Sequence, residues 1–251
     1  MVNILICGAC GKMGATLSEL LQGDTQAEAV CGVDIYADEK AKFPVYKNFS
    51  EVNKKVDVII DFSSPSVLKS EMEWAIERNI PVVLATTGYS AEQLEYIDGC
   101  AKKIAVFKTA NFSLGVNLLV KLVRNAAEAL GENFDIEIIE KHHNKKADAP
   151  SGTALMLADS ANSAFENKKE YLNGREGIVG KRGTEIGIHA VRGGTVVGEH
   201  EVIFAGEDEI ITLSHSARSK RVFAAGAIKA AKWIAGKPAG KYDMTDILKN
   251  L

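Results

Sequence analysis

What the sequence lacks excludes several classes of protein. It has no run of about 18 or more apolar residues, the length expected of a membrane-spanning helix. Its 30 Lys and Arg against 33 Asp and Glu give a net charge of −3, which predicts no broad basic surface for nucleic acid or a membrane. The apolar N-terminus has no basic lead and soon reaches a glycine turn, unlike a secretory signal. We therefore expect a cytoplasmic protein that binds neither nucleic acid nor membrane.

Cysteine is also scarce. The four cysteines contain a single C-x-x-C, formed by Cys7 and Cys10, and no second metal-type pair. This spacing leaves open a redox pair or half of a zinc site, but both residues fall at a glycine-rich turn with another interpretation. We therefore expect a reducing compartment and no metal site.

That glycine-rich turn joins a predicted strand to a predicted helix. Val2–Cys7 is a short run that is apolar except for Asn3 and contains β-branched residues, typical of a buried parallel strand. The spacing G-x-x-G-x-x-G follows, and then a helical pattern. Glycines in this context let the backbone approach a pyrophosphate at a helix N-terminus, although the spacing differs from the common G-x-G-x-x-G and a turn without ligand is the alternative. The predicted cofactor contacts here are Gly8, Ala9, Cys10, Gly11, Lys12 and Met13.

An acidic residue, Asp34, ends the second predicted strand. Its carboxylate can accept hydrogen bonds from the hydroxyls of an adenosine ribose, but it would repel the 2′-phosphate of NADPH. Ile35 after it offers no bidentate donor pair to a phosphate, whereas Lys40 and Lys42 are near enough in sequence to supply flexible charge. We therefore expect NADH to be preferred and NADPH to remain possible.

Strands and helices alternate to about residue 110, which predicts an α/β fold with a Rossmann-like, doubly wound parallel sheet. In such sheets, ligands lie beyond the carboxyl ends of the strands. Two segments after predicted strands are therefore expected to contact the cofactor. Their residues are Ala85, Thr86, Thr87, Thr109, Ala110, Asn111 and Phe112.

The periodicity of the chain changes in its second half. A long amphipathic helix spans 115–130, and from Glu185 apolar residues alternate with a period of two. This pattern predicts antiparallel strands, with Gly193-Gly194 as a hairpin turn and 167–183 as an exposed loop. We place a dinucleotide-binding domain at 1–113 and a second α+β domain, with a mixed or antiparallel sheet, at 114–220. Apolar residues on both faces of that sheet predict oligomerisation.

The most polar stretch, Glu137 to Leu155, concentrates proton carriers. Two adjacent histidines, three lysines and Asp148 precede Pro150, and an apolar helical pattern follows. Pro150 suits the first positions of a new helix, which Ser151 and Thr153 can cap. The free N–H groups of that helix and the cationic side chains would then bind an anionic small molecule beside a proton donor. A solvated loop before a capped helix is the alternative.

This stretch closely resembles the signature of the 4-hydroxy-tetrahydrodipicolinate reductase (dihydrodipicolinate reductase) family, E-x-H-H-x-x-K-x-D-x-P-S-G-T-A, which runs here from Glu140 to Ala154. Segments at 85–88, 109–113 and 214–233 extend the resemblance over nearly the whole chain. Ala85 replaces the first glycine of the family's G-T-T-G. Lys220 replaces a usual arginine, so no role is assigned there or to its neighbours Arg218 and Arg221.

The resemblance implies NAD(P)H-dependent reduction of the cyclic imine (4-hydroxy-)tetrahydrodipicolinate, or dihydrodipicolinate, to tetrahydrodipicolinate in lysine and diaminopimelate biosynthesis. It implies His142 as acid/base, Lys146 as proton donor, and His143, Gly152 and Thr153 as contacts to a dicarboxylate substrate. It also implies a homotetramer, built through the second domain, and a C-terminal helix in 221–251 that completes the first. A dinucleotide-sensing binding protein without catalysis is the alternative, since it would need the glycine loop and Asp34 but no proton donor.

Overall fold

The structure, a computed structural model, describes residues 1–36 and 41–249. Two compact units make up the chain: Met1–Phe112 with Arg221–Leu251, and Ser113–Lys220. None of the helices in these described ranges is both long and apolar enough to cross a membrane.

Strands and helices alternate through much of the first half of the chain, and strands predominate in the second. In chain order they are β1 (Val2–Cys7), α1 (Lys12–Leu21), β2 (Ala27–Val33), β3 (Val45–Tyr46), β4 (Val58–Asp61), α2 (Leu68–Arg78), β5 (Val82–Leu84), α3 (Ala91–Cys100), β6 (Ala105–Lys108), α4 (Leu114–Leu130), β7 (Asp135–His142), α5 (Gly152–Asn162), β8 (Tyr171–Asn173), β9 (Ile186–Arg192), β10 (Gly198–Ala205), β11 (Ile210–Ala217), α6 (Arg221–Ile234), β12 (Gly240–Tyr242) and α7 (Met244–Leu248).

The first unit contains a seven-stranded parallel sheet in the order β12-β6-β5-β4-β1-β2-β3. Its central strands are rich in Val, Ile and Leu and largely buried because both faces are covered, with Asn3 in β1 and Asp61 at the end of β4 as the polar exceptions. The strand order reverses between β1 and β4, the position at which such sheets bind ligands. The predicted Rossmann-like sheet is confirmed.

The end of the chain also belongs to this unit. Helix α6 packs against α1 and strands β4, β5 and β6, and its small residues are buried, including Ala224, Ala227 and Ala231. Strand β12 then extends the sheet beside β6. Neither β12 nor α7 was predicted, because three-residue strands and five-residue helices carry almost no periodic signal.

The second unit contains a five-stranded mixed sheet in the order β11-β10-β7-β9-β8. The mixed sheet is confirmed, but Gly193-Gly194 is not a hairpin turn. Strand β7 lies between β9 and β10, with His142 opposite Arg192 on one side and Lys141 opposite Glu199 on the other. The segment after β9 therefore crosses the end of β7. Strand β8 lies within 167–183, which was predicted to be only a loop.

One face of this mixed sheet packs against α4 and α5. The buried core includes Leu119 and Val123 from α4, Leu157 from α5, and Val202 and Phe204 from β10. Residues of β10 alternate between this core and the opposite, partly exposed face. That alternation directs His200 inward and Ile203 outward.

Candidate active site

Glycines shape the loop between β1 and α1. Gly8 has a φ of +79°, and a Cβ on it would lie 2.6 Å from the carbonyl oxygen of Phe62. A Cβ on Gly14 would overlap the carbonyl oxygens of Gly8 and Ala9. Helix α1 starts after Gly11 without a side-chain cap and without an acidic residue in its first turn. The helix start therefore leaves backbone N–H groups for an anion, as the pyrophosphate of a dinucleotide requires.

Asp34 reaches this loop from the end of β2. One carboxylate oxygen accepts a hydrogen bond from the backbone N–H of Cys10 at 2.9 Å, and the other accepts from Tyr36 N at 3.0 Å. Each oxygen can accept a further bond. Asp34 thus positions the loop itself, in addition to the ribose contact predicted for it.

A cleft of about 960 Å³ opens beside the loop and is lined by Gly8, Cys10, Gly11 and Asp34. It does not reach the other residues predicted to bind the cofactor. These are Ala9, Lys12, Met13, Ala85, Thr86, Thr87, Thr109, Ala110, Asn111 and Phe112. The last seven follow β5 and β6 at the carboxyl edge of the same sheet.

Several members of that second group have structural partners, and Thr109 Oγ1 donates to Asn111 O at 3.2 Å. Thr86 is buried, and its hydroxyl accepts a hydrogen bond from Ser63 N at 2.9 Å. The Phe112 ring packs against Phe62 and Phe107, with ring centroids 6.1 and 6.0 Å apart. Their roles toward a cofactor remain predictions.

The cations of the cleft differ from those considered in the sequence. Lys42 donates to Gln22 Oε1 at 2.6 Å instead, and Lys40 lies outside the described residues. Lys47 and Arg78 line the cleft. Lys47 was overlooked because β3, which precedes it, has only two residues, too few for a recognisable pattern.

In the second unit, a buried glutamate connects three segments. Glu140 on β7 is fully buried and accepts two hydrogen bonds from Arg192 on β9, at 2.6 and 2.7 Å. It also accepts from Ser151 N at 2.9 Å and contacts His142 Nδ1 at 2.6 Å. Burial alone would raise the pKa of Glu140, but the hydrogen bonds from Arg192 and His142 outweigh it and hold the pKa below its ordinary value.

This arrangement fixes the tautomer of His142. Because Nδ1 faces the Glu140 carboxylate, Nδ1 carries a proton and Nε2 is the atom left for proton exchange. The ring is 9% exposed. A Cβ on Gly198 would lie 3.1 Å from Nε2, so the glycine at that position leaves room beside this nitrogen.

The other residues predicted to act on the substrate lie in the segment after β7 and at the start of α5. Lys146 Nζ donates to both oxygens of Asp148, at 2.8 and 2.7 Å, and its side chain is 20% exposed. His143 is half-buried, and its Nδ1 has no hydrogen-bond partner among the described residues. Gly152 and Thr153 form the first turn of α5, whose dipole favours an anion there.

Pro150 lies before this helix, which begins at Gly152 and has Ser151 as its N-cap residue. The Ser151 hydroxyl caps α5 by accepting from Ala154 N at 3.1 Å, and it lies 2.9 Å from His200 Nε2. Ser151, His200 and Arg192 were not among the predicted site residues. The alternating pattern of β10 places His200 inward, but the meeting of β9 with β7 depends on long-range pairing, which no local pattern reveals.

His200 makes the stability of the second unit depend on pH. Burial, followed by the proximity of His142, lowers the pKa of His200 to about 4. The folded pKa is thus below the unfolded value of about 6.5, so acid favours the unfolded chain as the pH falls from about 6.5 toward 4. We expect the free energy of unfolding to fall by about 2 kcal/mol between pH 7 and pH 5 from this group.

Urea unfolding at several pH values measures this effect. His200→Gln keeps an amide near Ser151 but cannot titrate, so its stability should vary less over the same range. Equal pH dependence in both proteins would contradict the assignment.

Comparisons with known proteins point to the same family for both units of the chain. Residues 2–112 match the family model "Dihydrodipicolinate reductase, N-terminus" and residues 115–248 match "Dihydrodipicolinate reductase, C-terminus". A protein named 4-hydroxy-tetrahydrodipicolinate reductase from Caldanaerobacter subterraneus subsp. tengcongensis is 50% identical to this chain over 99% of each chain. A protein of the same name from Clostridium novyi is 46% identical over 100% of this chain and 99% of the relative. A dipicolinate-bound dihydrodipicolinate reductase from Paenisporosarcina sp. TG-14 superposes with a TM-score of 0.78 and 27% identity over 97% of each chain.

Proposed function

The chain belongs to the dihydrodipicolinate reductase family, and we propose how its residues serve the family's reaction. It is an NAD(P)H-dependent oxidoreductase that reduces the cyclic imine 4-hydroxy-tetrahydrodipicolinate, or dihydrodipicolinate, to tetrahydrodipicolinate on the route to lysine and diaminopimelate. The observation that best supports these roles is the Glu140–His142 pair beside the N-terminus of α5, which combines a proton carrier with an anion site. The Paenisporosarcina relative binds dipicolinate, a dicarboxylate of the same kind.

The residues of the first unit that fit the cofactor are those of the glycine loop. Side chains at Gly8 and Gly14 would fill the space that lets the backbone approach a pyrophosphate, and Asp34 has acceptor capacity for ribose hydroxyls. The nicotinamide nucleotide supplies the hydride.

The residues of the second unit handle the substrate and its proton. Glu140 holds His142 so that Nε2 exchanges the proton, and Lys146 donates from Nζ after release from Asp148. His143 and the N–H groups of Gly152 and Thr153 bind the substrate carboxylates. Cations and a helix start together give charge-assisted hydrogen bonds to each carboxylate.

The direct test is NADH and NADPH oxidation by the purified chain with and without freshly generated cyclic imine. The reductase oxidises the nucleotide only when the imine is present. A dinucleotide sensor would bind NADH but not oxidise it, and that result would refute the proposal.

We expect NADH to exceed NADPH by about ten-fold in kcat/KM, the equivalent of ~1.4 kcal/mol. Asp34 repels a 2′-phosphate, and Ile35 is 72% exposed with no donor to offer. Lys47 and Arg78 line the cleft and are the cations that can soften the preference. A steady-state comparison of both nucleotides at equal salt measures it.

Two variants sharpen that comparison. Lys47→Ala should lower kcat/KM for NADPH more than for NADH. Lys42 donates to Gln22, so Lys42→Ala should change neither value. A higher kcat/KM with NADPH in the unchanged enzyme would show that these cations, not Asp34, determine the choice.

The sheet of the second unit supports self-association, and we further propose a homotetramer, the number that the family resemblance implies, in the cytoplasm. Ile203 lies partly exposed on the face opposite the core, while Val191 and Ile210 are 48% and 67% exposed. Pairing such surfaces would remove apolar area from water. Light scattering at micromolar concentration should give four times the 27.0 kDa chain mass, and a monomer would contradict the assembly.

A further inference from the structure

Three side chains of the first unit that the proposed reaction does not use meet in its interior. Cys7 ends β1, Asp61 ends β4, and Glu71 lies in the first turn of α2. They are 1%, 1% and 0% exposed. The thiol sulfur and one oxygen of each carboxylate lie within 4.8 Å of one another. Cys7 stands directly opposite Asp61 in the β1–β4 pairing, so the backbone register itself brings these two together.

The protein satisfies Asp61 but not Glu71. Asp61 accepts from Ser63 N at 2.8 Å, Ser63 Oγ at 2.5 Å and Tyr89 OH at 3.2 Å. Both carboxylate oxygens of Glu71 are buried, and neither has a hydrogen-bond partner among the described residues. Buried carboxylates are normally paired, neutralised or bound to a metal. Glu71 therefore places an unpartnered acceptor atom within 4.8 Å of a thiol and a second carboxylate.

We propose that Cys7, Asp61 and Glu71 form a binding site for a thiophilic divalent cation of the Zn²⁺ class. A thiolate favours such ions over Mg²⁺ and Ca²⁺, and carboxylate oxygens complete zinc sites in other proteins. A divalent charge also offsets two of the three negative charges that these ligands carry when bound.

The geometry requires only side-chain adjustment. Zinc–sulfur bonds of about 2.3 Å and zinc–oxygen bonds of about 2.0 Å place tetrahedral ligand atoms about 3.3–3.5 Å apart. The three ligand atoms, which lie within 4.8 Å of one another, would therefore move closer by at most about 1.5 Å on binding. The hydroxyl of Ser63 lies 3.5 Å from Cys7 Sγ, near enough to serve as a fourth ligand.

The cation would stabilise the cofactor loop without taking part in the reduction. Cys7 directly precedes Gly8, and Asp61 directly precedes Phe62, whose carbonyl oxygen borders Gly8. Binding therefore links the ends of β1 and β4 where the strand order reverses. It should raise the melting temperature, while chelators should not abolish turnover.

Cobalt is the probe of choice because a cobalt–thiolate bond gives a near-ultraviolet charge-transfer band. The untagged, chelator-treated full-length protein should bind one Co²⁺ per chain with this band, and Zn²⁺ should displace it. Cys7→Ser should abolish the band, and Glu71→Gln, nearly isosteric, should weaken binding at least about ten-fold. Cys100→Ser removes another buried free thiol of the same unit and should leave the band unchanged.

Two results would overturn the site. One is the absence of a thiolate band in the unchanged protein. The other is a band that persists in Cys7→Ser, which would assign the ion to other ligands. If that variant does not fold, X-ray absorption of the zinc-loaded unchanged protein decides. One sulfur with oxygen ligands supports the site, whereas nitrogen ligands from histidine or two sulfurs refute it.

Discussion

Replacing His142 by glutamine is expected to lower kcat about 10²–10⁴-fold, the usual contribution of a positioned general acid or base. Glutamine can still hydrogen-bond to Glu140 but cannot exchange a proton near neutral pH. The affinity for NADH should change little, because the glycine loop and Asp34 belong to the first unit. Stopped-flow turnover with the cyclic imine gives kcat, and a fluorescence titration gives the NADH affinity.

His189→Gln is the matched control. This histidine lies on the neighbouring strand β9 and contacts Glu137 at 2.7 Å, so it tests the loss of an imidazole without loss of the proposed proton carrier. It should keep near-normal kcat. Near-normal turnover in His142→Gln as well would refute the assignment of the acid/base.

The second large effect is expected from Gly14→Ala. The new methyl group would overlap the carbonyl oxygens of Gly8 and Ala9, which are backbone atoms that cannot rotate away. The loop must therefore shift, and a displacement of about 1 Å in a binding loop can cost about 10²-fold in kcat/KM. Overlap in a packed region also destabilises by about 1–3 kcal/mol. Steady-state kinetics with NADH, together with an NADH titration, measure the first effect, and urea unfolding measures the second.

Gly23→Ala provides the comparison for that variant. Gly23 lies just after the same helix, and a Cβ there has nothing within 4 Å. Its stability should stay within about 0.5 kcal/mol of the unchanged protein, as for most surface substitutions. If Gly14→Ala binds NADH as tightly as Gly23→Ala does, the loop is not the pyrophosphate site.

The parallel sheet was predictable because its central strands are predominantly apolar runs that alternate with helical patterns. The failures lie where pairing is non-local. Gly193-Gly194 has the composition of a hairpin turn, yet β7 pairs with both β9 and β10 and keeps them apart. No pattern near residue 193 contains that information.

The same limit applies to the candidate site. The dense motif around His142 was recognisable because its members are close in sequence. Arg192 and His200 reach Glu140 and Ser151 only through the strand order of the mixed sheet. Lys47 reaches the cleft only because the two-residue strand β3 pairs with β2. Sequence therefore identified the local chemistry, whereas partners that meet only through the pairing of strands could not be recognised from it.

The return of the chain to the first unit through α6 and β12 has a consequence for how the protein folds during its translation. Residues 1–112 emerge from the ribosome first. The helix that buries Ala224, Ala227 and Ala231 against them is synthesised only after more than a hundred further residues. Domains begin folding as they emerge, so the N-terminal part of the first unit has an uncovered apolar surface while the second unit is being synthesised. A nascent chain halted just after Lys220 should therefore expose this surface and recruit chaperones. The chaperones should dissociate once α6 and β12 have emerged from the ribosome.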